Sequence, residues 1–236
     1  MEVYEINVKI YTLEDIFKEA SLELLSKLLD QSFYKNERMK EFHTENRIKN
    51  YCFNNLYPLA SNNEMYKKGE IYNFQVRCIG EDLINHFEKF LPNEYTSGIK
   101  VLTCNIKKIP KRTIERIYSI TPLIIKISDE DKTQYWRNIH NESDFFEYMR
   151  NSTIKKYELV TGEIVDSNLQ IFNYERIDNR KPIATKFKDK SILGDKVTLT
   201  IDTSEKAQNI AYTILGTGLA DMCPRGYGFM NYQYVK

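Results

Sequence analysis

Apolar and polar side chains alternate at the start of this chain. Over residues 3–10, Tyr4, Ile6, Val8 and Ile10 fall on one side and Glu5, Asn7 and Lys9 on the other, which predicts a half-buried strand. The period then lengthens. Leu13, Ile16, Phe17, Ala20, Leu24 and Leu28 recur at helical intervals, with Thr12 as the expected N-cap and Asp15 three residues on. Residues 51–59 read as a second strand. Over 71–79 the alternation is cleanest: Tyr72, Phe74, Val76 and Cys78 interleave with Asn73, Gln75 and Arg77. Residues 81–91 predict a short helix with Leu83, Ile84, Phe87 and Phe90 on one side, and 101–106 a further strand. Strand, helix, strand, strand, helix, strand is the order of a split-βαβ, ferredoxin-like unit, an antiparallel sheet with both helices on one face.

A basic, proline-broken stretch, Lys107, Lys108, Ile109, Pro110, Lys111 and Arg112, marks an expected domain boundary. The order then repeats more loosely. Residues 117–127 predict a strand, Asp144 caps a helix running to about Tyr157, and 168–175 form a strand. Residues 183–187 and 196–201 supply strand material around a Leu193-Gly194-Asp195 turn. Thr203 or Ser204 opens a helix that turns Ala207, Ile210, Ala211 and Ile214 inward and stops at Gly216, and 227–235 form the last strand. The expected fold class is therefore α+β: two tandem ferredoxin-like (βαββαβ) domains, residues 1–108 and 113–236, the second carrying a C-terminal glycine-rich loop.

Composition narrows the function classes. The chain has 236 residues, 42% hydrophobic and 28% charged, enough apolar surface to offset the entropy of ordering it. Lys and Arg number 34 against 33 Asp and Glu, so a net charge of +1 excludes a strongly basic coat or an acidic tail and leaves only local patches. No apolar run approaches the ~20 residues of a membrane helix. The alternating start predicts a strand rather than a signal peptide. Cys52, Cys78, Cys104 and Cys223 are far apart, without a CxxC pair or paired His. That predicts neither a zinc site nor a disulfide framework, no metal or cofactor, and a reducing cytoplasm.

Two segments stand out chemically. Residues 31–50 are polar and poorly periodic inside an otherwise compact unit, and long connections of this kind are often functional. They hold His43 among Lys35, Arg38, Lys40, Arg47 and Lys49. One reading is a solvated loop or short helix with an exposed His. The other is a general acid or base beside cations that suit a phosphodiester. The second segment, residues 215–229, concentrates Gly216, Gly218, Gly226 and Gly228, four of the chain's nine glycines, around Pro224 and Arg225. A dinucleotide fingerprint follows a strand and opens a helix; these glycines follow a helix and lead into a strand, so that reading fails. A cap and a turn need one or two glycines. Four suggest backbone amides turned toward a phosphate backbone, with Arg225 beside them. Basic residues cluster at 107–116 and again at 176–190, where a solvated face competes with a nucleic-acid path.

The glycine segment, Gly216-x-Gly218 through Gly226-Tyr227-Gly228-Phe229, resembles the C-terminal signature of the RAMP superfamily of CRISPR proteins. Within it the chain resembles the sixth Cas family, endoribonucleases that cut CRISPR repeat RNA. His43 followed by Lys49 to Leu56 is similar to that family's histidine loop running into a strand. Ser119-Ile120-Thr121-Pro122 resembles the start of its second domain, with Thr-Pro in place of Ser-Pro. The resemblance implies metal-independent cleavage, in which the 2′-hydroxyl attacks the adjacent phosphate and leaves 2′,3′-cyclic phosphate (or 3′-phosphate) and 5′-OH ends. The lack of a carboxylate cluster in the sequence agrees with this, since a two-metal nuclease would need one. It implies His43 as general base or acid and Lys49 as stabiliser of phosphate charge. Some members add a tyrosine upstream of the histidine; Tyr34 is the only tyrosine between Tyr11 and His43, at a spacing that does not align with theirs. Gly216, Gly218, Arg225, Gly226 and Gly228, with Lys107, Lys108, Lys111 and Arg112, are the implied RNA contacts, and Arg38 and Arg47 substitute if Lys49 points away.

The implied partners are CRISPR repeat RNA held between the two domains and other Cas effector subunits, with the chain a monomer or homodimer away from membranes. Two other readings compete. One is a non-catalytic RNA-binding subunit of a CRISPR effector complex, which binds repeat RNA and yields no product. The other is a ferredoxin-like metabolite enzyme whose glycine loop holds a small phosphate ligand.

Overall fold

The alternation over the first ten residues ends up as β1 (Val3–Thr12). The computed structural model describes residues 1–60, 65–129, 132–138, 140–188 and 190–236. After β1 the first half continues with β2 (Ile16–Phe17), α1 (Ser21–Phe33), α2 (Glu37–Thr44), β3 (Tyr51–Phe53), β4 (Met65–Tyr66), β5 (Ile71–Ile79), α3 (Glu81–Phe90) and β6 (Ile99–Lys108). The second half contains β7 (Ile114–Ser119), β8 (Ile127–Asp129), β9 (Lys132–Gln134), α4 (Glu142–Thr161), β10 (Phe172–Ile177), β11 (Ile183–Phe187), β12 (Lys190–Gly194), β13 (Val197–Ile201), α5 (Glu205–Thr217) and β14 (Met230–Tyr234).

Each half builds one four-stranded antiparallel sheet, β3-β5-β1-β6 and β10-β13-β7-β14. Counting those strands along the chain, both orders are second, third, first, fourth, the arrangement of a split-βαβ unit. In the first sheet Ile6, Val8 and Ile10 face α1 and α3 and join Leu25, Leu28, Leu29, Phe33 and Phe87 in one core. The opposite face carries Glu5, Asn7, Gln75 and Arg77. The cores are not sealed from one another. Val3 and Ile79 pack with the second half, and Ile124 and Tyr227 with the first.

Several expected boundaries move, for physical reasons. Thr12 caps no helix. It stays in β1, where its hydroxyl donates to the Lys67 and Glu70 carbonyls at 2.5 and 3.0 Å. Ile16 and Phe17 pair with Tyr66 and Met65, so α1 begins only at Ser21. The strand expected over 51–59 stops at Phe53 and returns to β5 only as a Tyr57–Asn73 bridge. Asn141, not Asp144, is the N-cap of α4; Asp144 completes the capping box from the third helical position. The strand expected over 117–127 is shifted to β7, and that over 168–175 to β10. Residues 183–187 and 190–194 pair as a separate hairpin, β11-β12, outside the four-stranded sheet. Gly216 does not stop α5. The helix passes through it to Thr217, because a Cβ at Gly216 would lie 2.5 Å from Ile79 Cγ1; its bareness lets α5 lie against the ends of β1 and β5. The last strand is confined to β14.

The polar faces of the two sheets meet through one buried ion pair. Arg77 and Glu5 are each 2% exposed, and Arg77 Nε donates to Glu5 Oε2 at 2.8 Å. Arg77 Nη1 donates to the Met230 carbonyl of β14 at 2.6 Å, and the guanidinium lies 4.4 Å over Phe229 and 5.3 Å over Tyr232. Lys107, opposite Glu5 on β6, adds a second cation at 3.0 Å. Burial works to raise the Glu5 carboxyl, but Arg77 and Lys107 outweigh it and hold its pKa below 4.5. A group with a lowered folded pKa adds stability above its unfolded pKa and loses it as pH falls through the folded one. Glu5→Gln should cost about 3–5 kcal/mol of unfolding free energy at neutral pH, because it leaves the Arg77 charge buried without its anion. Urea denaturation should show the gap to wild type closing in acid, below 4.5. A gap of equal size in acid and at neutrality would contradict this account.

Candidate active site

The polar window at 31–50 folds as the end of α1, a turn, α2 and an extended tail. α1 buries Leu22, Leu25, Leu28, Leu29 and Phe33, which leaves Asp30 on its flank, 22% exposed. Asn36 caps α2 by accepting from the Met39 amide at 3.2 Å, and Met39 is the buried residue of this short helix. These two anchors place His43, in the last turn of α2, beside α1. Its ring stacks on Phe33 at 5.5 Å and 17°, and His86 stacks on the same phenyl ring at 5.0 Å and 12°.

His43 Nδ1 faces Asp30 Oδ1 at 3.6 Å. The other Asp30 oxygen accepts from Arg225 Nη1 at 2.5 Å, and the same nitrogen donates to Ser26 Oγ at 2.5 Å. The glycine-rich segment thus delivers its arginine to the imidazole's own partner, across the boundary between the two sheets. Burial lowers the pKa of His43 below 6.5. Asp30 opposes that shift, and Arg225 and Lys49 add to it, which favours the neutral ring.

The other candidates divide clearly. Tyr34 closes α1, is half exposed, and presents its ring to His43 edge-on at 5.7 Å and 67°. Lys49 donates to the Phe42 and Glu45 carbonyls and lies 4.6 Å over the Phe42 ring. Burial and the neighbouring Arg47 lower its pKa. Arg47 pairs with Glu45 at 2.7 Å and Arg38 with Asp82 at 2.6 Å. Lys107 and Lys108 are on β6, at the opposite edge of the first sheet from β3, and pair with Glu5 and Glu2 at 3.0 and 2.8 Å. Lys111 and Arg112 are exposed in the connector, Arg112 6.0 Å from the Tyr234 ring. None of these four basic residues adjoins His43.

The glycines do other work than the sequence suggests. Gly216, Gly218, Gly226 and Gly228 are buried. The amides of the last three donate to Ile214, Cys223 and Pro122 carbonyls at 2.8, 3.1 and 2.9 Å, so they are not turned outward. Gly228 has φ +62°, and a Cβ there would collide with the Leu219 carbonyl. Beneath the segment, buried Lys156 donates to the Gly218 and Ala220 carbonyls at 3.0 and 2.6 Å and lies 3.2 Å from Cys223 Sγ. The segment is a packed wedge that carries Arg225 at its surface.

A cleft of about 1350 Å³ lies between the halves and does not include His43. Asn7, Asn73 and Gln75 line it from the first sheet and Asn231 from the second, with Lys186, Lys188 and Lys196 on the β11-β12 side. Leu22 of α1 also borders it, eight residues before Asp30, which at 1.5 Å per residue is about 12 Å along the helix. Asp30, Phe33 and Lys156 are site residues that sequence reasoning missed. Asp30 and Phe33 sit in an ordinary amphipathic helix, and Lys156 reads as one more surface lysine. Among the described residues no three His, Cys, Asp or Glu side chains come close enough together to hold a metal ion. No described helix is long and apolar enough to cross a membrane.

Comparisons with known proteins point one way. A curated relative, the CRISPR-associated endoribonuclease Cas6 2 of Methanocaldococcus jannaschii, is 22% identical over 215 residues, covering 85% of this chain and 87% of its own length. A solved structure of a CRISPR associated protein Cas6 superposes with a TM-score of 0.75 at 17% identity, over 98% of this chain and all of that one. A RAMP protein described as binding different RNA substrates gives the same TM-score at 15% identity, over 98% of this chain and 99% of that one. Residues 104–232, more than half of the chain, match the family described as CRISPR associated protein Cas6, C-terminal. With the repeated split-βαβ order and the glycine segment between α5 and β14, that match establishes the chain as a member of the Cas6 family.

Proposed function

We propose that this chain is an endoribonuclease that cleaves CRISPR repeat RNA without a metal ion, with His43 as general base. The observation that carries the reading is the placement of the His43 imidazole. The ring is stacked on Phe33, faced by Asp30 and flanked by Tyr34, Lys49 and Arg225, in a member of the Cas6 family. The 2′-hydroxyl gives its proton to His43 and its oxygen attacks the adjacent phosphorus. The bond to the 5′-oxygen breaks, and that oxygen leaves with a proton from water or from Tyr34. The products are a 2′,3′-cyclic phosphate and a 5′-OH end. The Lys49 ammonium stabilises charge on the phosphate oxygens once it turns from the two carbonyls that hold it.

RNA reaches this centre from the cleft between the two domains, 1–108 and 113–236. There, amides on both sheets face base edges and the β11-β12 lysines face phosphate. Arg225 is the RNA contact offered by the glycine segment, and Gly216, Gly218, Gly226 and Gly228 shape the backbone that presents it. Lys107, Lys108, Lys111 and Arg112 extend the basic surface away from the centre. Affinity carried by such local patches should fall steeply with salt.

His43→Ala should lower the cleavage rate by about 10²–10⁴-fold while repeat RNA binding changes little. A deoxyribose at the scissile nucleotide should block the reaction in EDTA, and wild-type protein in EDTA should still cut the all-ribose strand to a cyclic phosphate. Cutting of the deoxy strand would overturn the mechanism. Tight binding with no product from wild type would favour the non-catalytic subunit instead. Only the neutral imidazole acts as the base, so kcat/KM, which reports the free protein, should be lost as pH falls through the lowered pKa of His43, below 6.5, and should level off above it. A rate that climbs only above neutrality would assign the base to another group.

A further inference from the structure

We propose that Asp30 is a positioning residue for His43, holding the ring as the Nδ1–H tautomer so that Nε2 is the basic nitrogen, while Arg225 holds the carboxylate in place. The inference rests on the reading of His43 as the base. It is carried by an imbalance in how the two Asp30 oxygens are used. Oδ2 is held by Arg225 at 2.5 Å. Oδ1 is buried and has no hydrogen-bond partner among the described residues. A buried carboxylate oxygen without a donor is costly, and His43 Nδ1, 3.6 Å away, faces it. A closure of about 0.5 Å brings that pair to hydrogen-bond length, and catalytic hydrogen bonds are often long before substrate arrives.

The surroundings restrict the alternatives. Phe33 stacks under the ring at 17° and limits its tilt. Arg225 and Lys49 are the cations that act on the ring, and neither accepts a hydrogen bond, while Tyr34 meets it edge-on. Asp30 is therefore the acceptor placed to fix the Nδ1 proton. Because one Asp30 oxygen belongs to Arg225, the orientation of the base depends on the C-terminal segment being seated on α1.

Nitrogen-15 NMR of the histidine-labelled protein, at a pH where imidazole is neutral, reads the tautomer directly. His43→Ala identifies which signals belong to position 43 among the chain's three histidines. Wild-type His43 should be Nδ1–H. Asp30→Asn keeps an oxygen for Arg225 but turns an NH₂ toward Nδ1, so the tautomer should switch to Nε2–H. The single-turnover cleavage rate should then fall about 10²-fold with RNA affinity within about threefold. Loss of a merely structural contact would instead weaken binding or stability and leave the tautomer alone. A wild-type ring in the Nε2–H form overturns the proposal without any variant. So does a tautomer or rate unmoved by Asp30→Asn. If wild type never cleaves repeat RNA yet the tautomer switches, the Asp30–His43 pairing stands and the nuclease reading fails.

Discussion

The guanidinium of Arg225 on the carboxylate of Asp30 is the contact on which the candidate site depends. It joins a segment built by the second sheet to a helix built by the first, 195 residues apart in sequence. Such a pair, partly shielded from water, holds only if both partners are delivered with little freedom left. The chain meets that demand from both sides. α1 is fixed by its apolar stripe. The wedge carrying Arg225 is fixed from below by Lys156, whose buried ammonium donates to the Gly218 and Ala220 carbonyls and to Cys223 Sγ. A buried ammonium without acceptors is costly, so the same charge that needs the carbonyls also locks the backbone that supplies them.

Legibility in the sequence tracked how one-sided each environment is. β5 could be read residue by residue because one face meets the α1–α3 core while Asn73 and Gln75 on the other border the cleft and Arg77 is held by the Glu5 ion pair, which produces the alternation. The start of α1 could not. Ile16 and Phe17 keep helical spacing from Leu13 and Ala20, yet they pair with β4, a long-range contact that local periodicity does not contain. The hairpin β11-β12 looked like sheet material for the same reason: strand chemistry is visible, partner choice is not. His43 was legible because an ionisable ring in a polar connection is unusual. Asp30 was invisible because an acid on the flank of an amphipathic helix is what any solvated helix shows. The glycines were noticed for the right concentration and the wrong purpose. Their amides close the wedge on itself, and the functional group they serve is the neighbouring side chain.

Charge placement also explains how a chain of net charge +1 presents local cationic surface. Lys107 and Lys108 are balanced by Glu5 and Glu2, and Glu5 is committed to Arg77 between the sheets. The lysines bordering the cleft lie on the other side, where Lys186 meets only an exposed pair with Glu19. Exposed pairs of that kind are worth little and exchange readily for phosphate. Lys107 is therefore tied to the buried Glu5, whereas Lys108 and Lys186 are held only by exposed pairs.

Around His43 the balance is tilted the other way. Burial lowers its basicity most, the anion Asp30 raises it, and the cations Arg225 and Lys49 lower it further. On the proposed reading, a phosphodiester entering beside these cations brings the missing negative charge. It offsets their effect on the ring, and the imidazole becomes a stronger base when a 2′-hydroxyl lies within its reach. The substrate thus completes the charge balance around its own base.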